Sequence, residues 1–317
     1  MAARYALAAV VLLAAALVPA AFPWLTVVLI IVIAQGLAVL GILVLLRAGQ
    51  VSFGHGMFYA ASAYAAAFVA RALGGSEVLL LLLVGLLTSA ALGFVVGLFV
   101  VRYRYIFFAM LNLAFSMVLW SVLEKFYGIT GGTYGLSLAR PTLIGFALER
   151  GPFEIGLFYL ALALAAVTTL CVHRYLQSPA GEALRALKTN ETRLEYLGVS
   201  PRQVLLLAYV VSAVLAGLGG TLQALIVGHI TPDLGYWVRS GEFVFIAILG
   251  GAGSVLGPFL GALAYELVQT YAAAYAANVW QLILGSVLLL IILFAPQGLV
   301  GLYQHMGAVR EPRAQPQ

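Results

Sequence analysis

The sequence predicts an all-α, polytopic transmembrane helix bundle, and three observations carry that expectation. Of the 317 residues, 64% are hydrophobic. Only 9% are charged, where a soluble domain carries about 25%. Apolar stretches of roughly the 20 residues needed to cross a bilayer recur along the whole length. No period-2 alternation of the barrel kind accompanies them, so the backbone must satisfy itself as helices.

The length rule places about ten spans, at 5–21, 24–46, 53–71, 78–101, 105–125, 155–174, 203–227, 240–254, 256–276 and 279–298. They form a single transmembrane domain over residues 1–300, followed by a cytoplasmic tail at 301–317. Residues 1–21 combine Arg4, an apolar run and small residues near Ala20, in the manner of a signal peptide. The next apolar segment starts directly after Pro23, so this stretch reads as an uncleaved first span. With the amino terminus inside, Arg71, Lys125, Arg140, Arg150 and Arg239 fall outside, and the other eleven of the sixteen Lys and Arg fall inside. That bias supports the orientation, which leaves both termini and the loop at 176–202 in the cytoplasm.

Several classes of function are excluded. The net charge of +5 matters here by its position along the spans, and no nucleic-acid partner is expected. The single Cys171 rules out an internal disulfide and a Cys-rich metal site. No G-x-x-x-x-G-K-[ST] stretch exists to cradle ATP. His55, His173, His229 and His305 are scattered, without an H-E-x-x-H pair or a nucleophile elbow, so neither an enzyme nor a metal centre is expected. Small residues recur every fourth position at Gly85, Ser89, Gly93 and Gly97, at Ala216, Gly220 and Ala224, and at Gly257 and Gly261. Such stripes read as close helix packing within one subunit.

The polar island at 176–202 stands apart from everything around it. Ser178-Pro179 reads as a helix start, with a capping hydroxyl and a proline at the first helical position. Glu182 suits the positive end of that helix, and Leu184 and Leu187 make an apolar edge beside Arg185 and Lys188. A second short helix from about Glu191 ends at Gly198 as a left-handed cap. Two such helices make a compact knob to be gripped by a cytoplasmic partner; its edge has too few bulky residues to lie firmly in a lipid surface.

Two glycine-rich stretches interrupt the apolar pattern. Gly49-Gln50-Val51-Ser52-Phe53-Gly54-His55-Gly56 is one, and Gly250-Gly251-Ala252-Gly253-Ser254-Val255-Leu256-Gly257-Pro258 is its expected counterpart. Paired interruptions point to a central pathway. Thr130-Gly131-Gly132-Thr133-Tyr134-Gly135 is a glycine turn on the outer side. Asn112 and Glu266 lie within spans, where an acid costs roughly 3 kcal/mol at the centre, so each is a candidate for function.

In this order the motifs resemble the LivM-type permease of branched-chain amino acid ABC importers. The resemblance is carried by residues 49–56, the Phe107-Phe108-Ala109-Met110-Leu111 to Ala114-Phe115 run, Thr130-Gly131-Gly132, Ser178-Pro179-Ala180-Gly181 with Arg185-Ala186, Leu197-Gly198-Val199, and Gly250-Gly251 to Gly257-Pro258. It implies a non-catalytic subunit of the bacterial inner membrane that forms half of a translocation pathway for branched-chain or related amino acids. The expected partners are a second LivH-like permease, two ABC ATPase subunits and a periplasmic binding protein. No cofactor is bound by this chain, and ATP sits on the partners. Ser178, Pro179, Gly181, Glu182, Arg185, Lys188 and Gly198 would couple to the ATPase; Ser52, Gly54, His55, Asn112, Thr130, Gly131 and Gly132 are the pathway candidates. Asn112 stands where the family often has Thr and Phe53 where Leu is usual, so urea, an amide or an aromatic acid remain alternative substrates. A self-sufficient carrier coupled to protons through His55 or Glu266 is the alternative mechanism.

Overall fold

One helix is buried along nearly its whole length, and the others are ordered by how closely they press on it. In the computed structural model, residues 22, 24–251, 253–275, 279–294, 298–299 and 301 are described. The expected first span at 5–21 and the tail beyond 301 lie outside the described residues. The helices are α1 (Leu25–Arg47), α2 (His55–Leu73), α3 (Val78–Val100), α4 (Tyr105–Lys125), α5 (Tyr127–Thr130), α6 (Arg150–Gln177), α7 (Pro179–Thr189), α8 (Glu191–Tyr196), α9 (Pro201–Val227), α10 (Trp237–Gly250), α11 (Gly257–Tyr275) and α12 (Trp280–Phe294). Two-residue strands β1 (Leu136–Ser137) and β2 (His229–Ile230) pair antiparallel.

Helix α1 is apolar all round, as a helix enclosed on every side must be. It is buried without a break from Val32 to Leu45. Helices α9 and α2 are its most buried neighbours. Helices α3, α4 and α6 turn Leu83, Leu87, Phe94, Ile106, Phe107, Met110 and Val167 outward, each more than half exposed. An apolar outside on this scale belongs against lipid or another protein.

Small residues set the spacing of the core. Gly85, Ser89, Gly93 and Gly97 of α3 face Thr221, Gly217, Ala213 and Leu206–Tyr209 of α9, in antiparallel order. On another side of α9, Gly219 abuts the Ala34 carbonyl and Gly220 the Tyr59 carbonyl, so no side chain separates the backbones. The stripes expected from the sequence therefore pack inside this chain. Between helices in lipid, such contact is the main source of attraction, because leucine gains little by leaving acyl chains.

Six helices are long and apolar enough to cross a membrane by length and composition: α1, α2, α3, α4, α6 and α9. Helices α10, α11 and α12 are not among them, so the ten expected spans are not reached among the described residues. Most expected spans match a helix within a few residues; α6 extends the stretch expected at 155–174 to 150–177. The glycine stretches do not break a helix from within. Residues 48–54 connect α1 to α2, and 251–256 connect α10 to α11.

The two ends of the bundle differ in chemistry. At one end Arg104 grips Glu191 of the knob through Nε and Nη2, at 3.1 and 2.7 Å, and Lys188 lies over Gly49. At the other end β1 meets β2, and Val78 N donates to the Thr142 carbonyl.

The seam of α3 and α9 gives a direct stability test. Gly217→Leu drives a side chain into Ser89 and should cost about 1–3 kcal/mol by overpacking. Gly285→Ala on α12 meets nothing within 4 Å and should be neutral. Melting temperatures of the detergent-solubilised variants, read by fluorescence-detected size exclusion, check both.

Candidate functional site

Two connections leave opposite ends of the bundle and turn back into it. The first is residues 48–54. Gly49 takes φ +72°, a left-handed turn that glycine adopts without steric penalty. Gln50 is buried, and its Oε1 accepts the Tyr105 N–H at the start of α4 at 2.7 Å. Four residues later Gly54 lies so close to Asn112 that a Cβ there would stand 2.8 Å from the Asn112 carbonyl oxygen. Tyr105 to Asn112 is roughly 10 Å of helix. The strap 50–54 therefore climbs beside α4, and α2 begins well inside the bundle.

The second connection, residues 228–236, enters from the other end. It passes through β2 and a 3-10 turn at Pro232–Gly235. Ser116, in the middle of α4, donates to the Gly235 carbonyl at 2.9 Å, and the Tyr236 ring lies 5.0 Å from Trp120. Ser240 in the first turn of α10 accepts the Gly56 N–H from the first turn of α2, at 2.9 Å. Helices α2 and α10 thus start face to face near the level of mid-α4 and run to opposite ends.

Irregular backbone at such depth is tolerated only when protein or water satisfies it. Here protein does much of that work. Ser52 Oγ accepts the Gly54 N–H at 3.3 Å. His55 Nε2 and Ser212 Oγ stand 2.6 Å apart, while Nδ1 finds no partner among the described residues. Tyr209 donates to Asn112 Oδ1 at 2.5 Å, and Asn112 Nδ2 donates to the Phe108 carbonyl at 2.8 Å. Phe58 and Phe108 close edge-on around the Tyr209 ring.

A charged cluster adjoins this junction. Arg239 and Glu242, one turn apart on α10, pair at 2.8 Å. Glu266 of α11 accepts from Gln35 Nε2 of α1 at 3.1 Å, and Tyr59 donates to Gln223. Arg239, expected outside, instead stands beside Ser240 at the junction, because 228–236 carries the chain inward before α10 begins.

The knob is the second candidate feature. Leu184, Leu187 and Leu194 are buried against the bundle, whereas Glu182, Arg185 and Lys188 are exposed. Tyr196 and Leu197 project from its tip at 88% and 73% exposure, a combination no folding need explains. Gly181 fits where a Cβ would press 2.5 Å from the Leu176 carbonyl carbon. Gly198 has φ +77° and closes the second helix, as expected. The expected hydroxyl cap fails: Ser178 Oγ donates back to the Tyr175 carbonyl at 2.7 Å, drawn by the open carbonyls at the end of α6. Asn190 is the capping side chain, accepting from Arg193 N at 3.0 Å.

Residues 21–293 match the family model described as branched-chain amino acid transport system, permease component. The chain belongs to that permease family. It is 31% identical over 277 residues to the high-affinity branched-chain amino acid transport system permease protein LivM of Escherichia coli, covering 80% of this chain and 64% of that protein. A probable LivM of Methanocaldococcus jannaschii is 26% identical over 69% of this chain and 68% of its own length. The E. coli permease protein LivH is 30% identical over 44% of each chain. The chain spans 64% of the length of the first curated relatives it matches. No solved structure matches it. A multi-pass membrane protein of this family is the identity these comparisons support.

Within this chain, Ser52, Gly54, His55 and Asn112 come together at the junction. Thr130, Gly131 and Gly132 stand apart, at the far end of α4. There Thr130 Oγ1 lies 2.5 and 2.9 Å from the Leu123 and Phe126 carbonyls, and Gly132 N donates back to it at 3.2 Å. Sequence reading missed Gln50, Ser116, Tyr209, Ser212 and Ser240. The signal was available for Tyr209 and Ser212, polar groups inside a span that lipid penalises. For Gln50 and Ser240 only the fold reveals the partner.

The Tyr209–Asn112 bond is measurable. Tyr209→Phe leaves Asn112 Oδ1 without its donor and should cost about 1–3 kcal/mol. Adding Asn112→Leu should cost less than the sum of the two single changes. A double-mutant cycle of melting temperatures checks this.

Proposed function

We propose that the chain is the membrane-spanning permease subunit of an ATP-driven importer for branched-chain or related amino acids, worked from the cytoplasm through the knob at 176–202. The observation that carries this reading is the knob tip, where Tyr196 and Leu197 are held out to solvent by two helices whose own apolar edge is buried in the bundle. Exposed aromatic and aliphatic side chains on a rigid, charge-rimmed support have the anatomy of a docking surface. Family membership supplies the direction of the argument, since the curated relatives are named as branched-chain amino acid permeases.

In this reading two ABC ATPases, a LivH-like permease and a periplasmic binding protein complete the machine. This chain binds no cofactor and performs no chemistry; ATP is hydrolysed on the partners. It sits in the inner membrane with both termini cytoplasmic and about ten crossings, residues 1–300 forming the permease domain. Movement of the knob has two routes inward. Glu191 pulls on Arg104 at the head of α4, and Lys188 bears on Gly49 at the foot of the strap that ends at His55. Partners bias the bundle only by their differential affinity for its states.

Tyr196→Asp should abolish co-purification with the ATPase subunits while leaving the melting temperature of the permease unchanged. Glu191→Arg should keep the ATPases bound and lower uptake, and Arg104→Glu added to it should restore part of the loss. Pull-down and transport assays on the co-expressed complex check both; retained ATPase binding by Tyr196→Asp would contradict the docking surface.

A further inference from the structure

The charged cluster beside the junction is more than the fold requires. Gln35 lies near the middle of the 23-residue α1, and Glu266 near the middle of the 19-residue α11. Arg239 adjoins Ser240, which bonds the start of α2. The ionic groups of this cluster therefore stand at mid-bundle, where charge is costly and marks ion or substrate pathways. Among the described residues their count is unequal: Arg239 pairs with Glu242, and Glu266 has a neutral amide donor, Gln35. Helices α10 and α11 pack antiparallel, Gly261 against the Ile246 carbonyl and Gly257 against Gly250, which brings Glu266 level with Glu242. Gln35 is itself only 2% exposed, and its Oε1 has no partner among the described residues.

The cluster is also not sealed within this chain. The side chains of Arg239 and Glu242 keep 21% and 20% of their surface open, and Glu266 is only half-buried. A purely structural ion pair at this depth would be expected to be sealed, because an open one gains little and stays costly in lipid. What fits the arrangement is a solute bearing both charges. Its ammonium neutralises the spare carboxylate, and its carboxylate joins Glu242 on the guanidinium, whose several N–H donors serve two carboxylates, so no buried charge is left without a partner while the solute passes.

We propose that Arg239, Glu242 and Glu266 form a transfer site for the charged ends of a zwitterionic α-amino acid, Glu266 receiving the ammonium and Arg239 the carboxylate. The site rests on the importer reading above and specifies where in this chain its substrate is handled. Glu242 orients Arg239 and shares its guanidinium with the arriving carboxylate.

The test uses the complete importer reconstituted in proteoliposomes, with ATP inside and leucine-loaded binding protein outside. Glu266→Gln keeps a donor and acceptor for Gln35 and removes only the charge. It should slow leucine uptake at least about tenfold, while complex assembly and ATPase activity stimulated by the loaded binding protein stay within about twofold of wild type. Arg239→Glu with Glu242→Arg rebuilds an ion pair in reversed order; a structural pair would be rescued by it, whereas a transfer site is not. Wild-type uptake in Glu266→Gln, or restored uptake in the swapped pair, overturns the site alone. Should Glu266→Gln fail to assemble, Glu242→Gln is read in its place under the same criteria. A wild-type complex that imports no α-amino acid with ATP overturns the importer reading, and the site with it.

Discussion

Backbone polar groups carried into an apolar interior must find partners, and the architecture of this chain is organised around meeting that demand twice. The straps 48–54 and 228–236 bring open peptide groups to the middle of the bundle from opposite ends. Ser52, Ser116 and Ser240 satisfy three of them directly. The helices that begin there, α2 and α10, start face to face with their positive ends together. Such a junction survives only if α1, α3 and α9 hold it without voids, and the glycine and serine stripes of α3 and α9 permit that closeness. The seam and the junction are therefore parts of one solution.

That arrangement also suits motion. The straps are joined to the bundle by a few hydrogen bonds and ring contacts, whereas the helices around them are locked by continuous packing. One strap begins under Lys188 of the knob and ends at His55. A displacement at the knob thus reaches the centre through a few residues. The charged cluster of α10 and α11 lies where that displacement arrives, which joins the proposed drive and the proposed substrate contact in one region.

Much of this was legible in the sequence, for identifiable reasons. Helices α1 to α4 follow from apolar length alone, and the knob follows from Ser178-Pro179, Glu182 and Gly198. The stripe at Gly85, Ser89, Gly93 and Gly97 announced a close helix neighbour, though not that α9 was the neighbour. The inward path of 228–236 was missed because Gly228, Pro232 and Gly235 read equally well as an ordinary turn between two spans, and only Ser116 and Gly56 show how deep it goes. The counterpart expected for 49–56, at 250–258, was chosen by glycine content. By position it is 228–236 that mirrors the first strap, following a long buried helix and ending where the next helix starts at mid-bundle. Arg239 was placed outside for the same reason. Charge position alone does not register a strap that turns back.

The most direct measurement is the energy source of uptake. In proteoliposomes holding this chain, a second permease and both ATPases, the account predicts that amino acid accumulates only with ATP and the binding protein present. It predicts no accumulation when the ATPases are replaced by a hydrolysis-deficient form. Accumulation by this chain alone, driven by a proton gradient and indifferent to ATP, would contradict it.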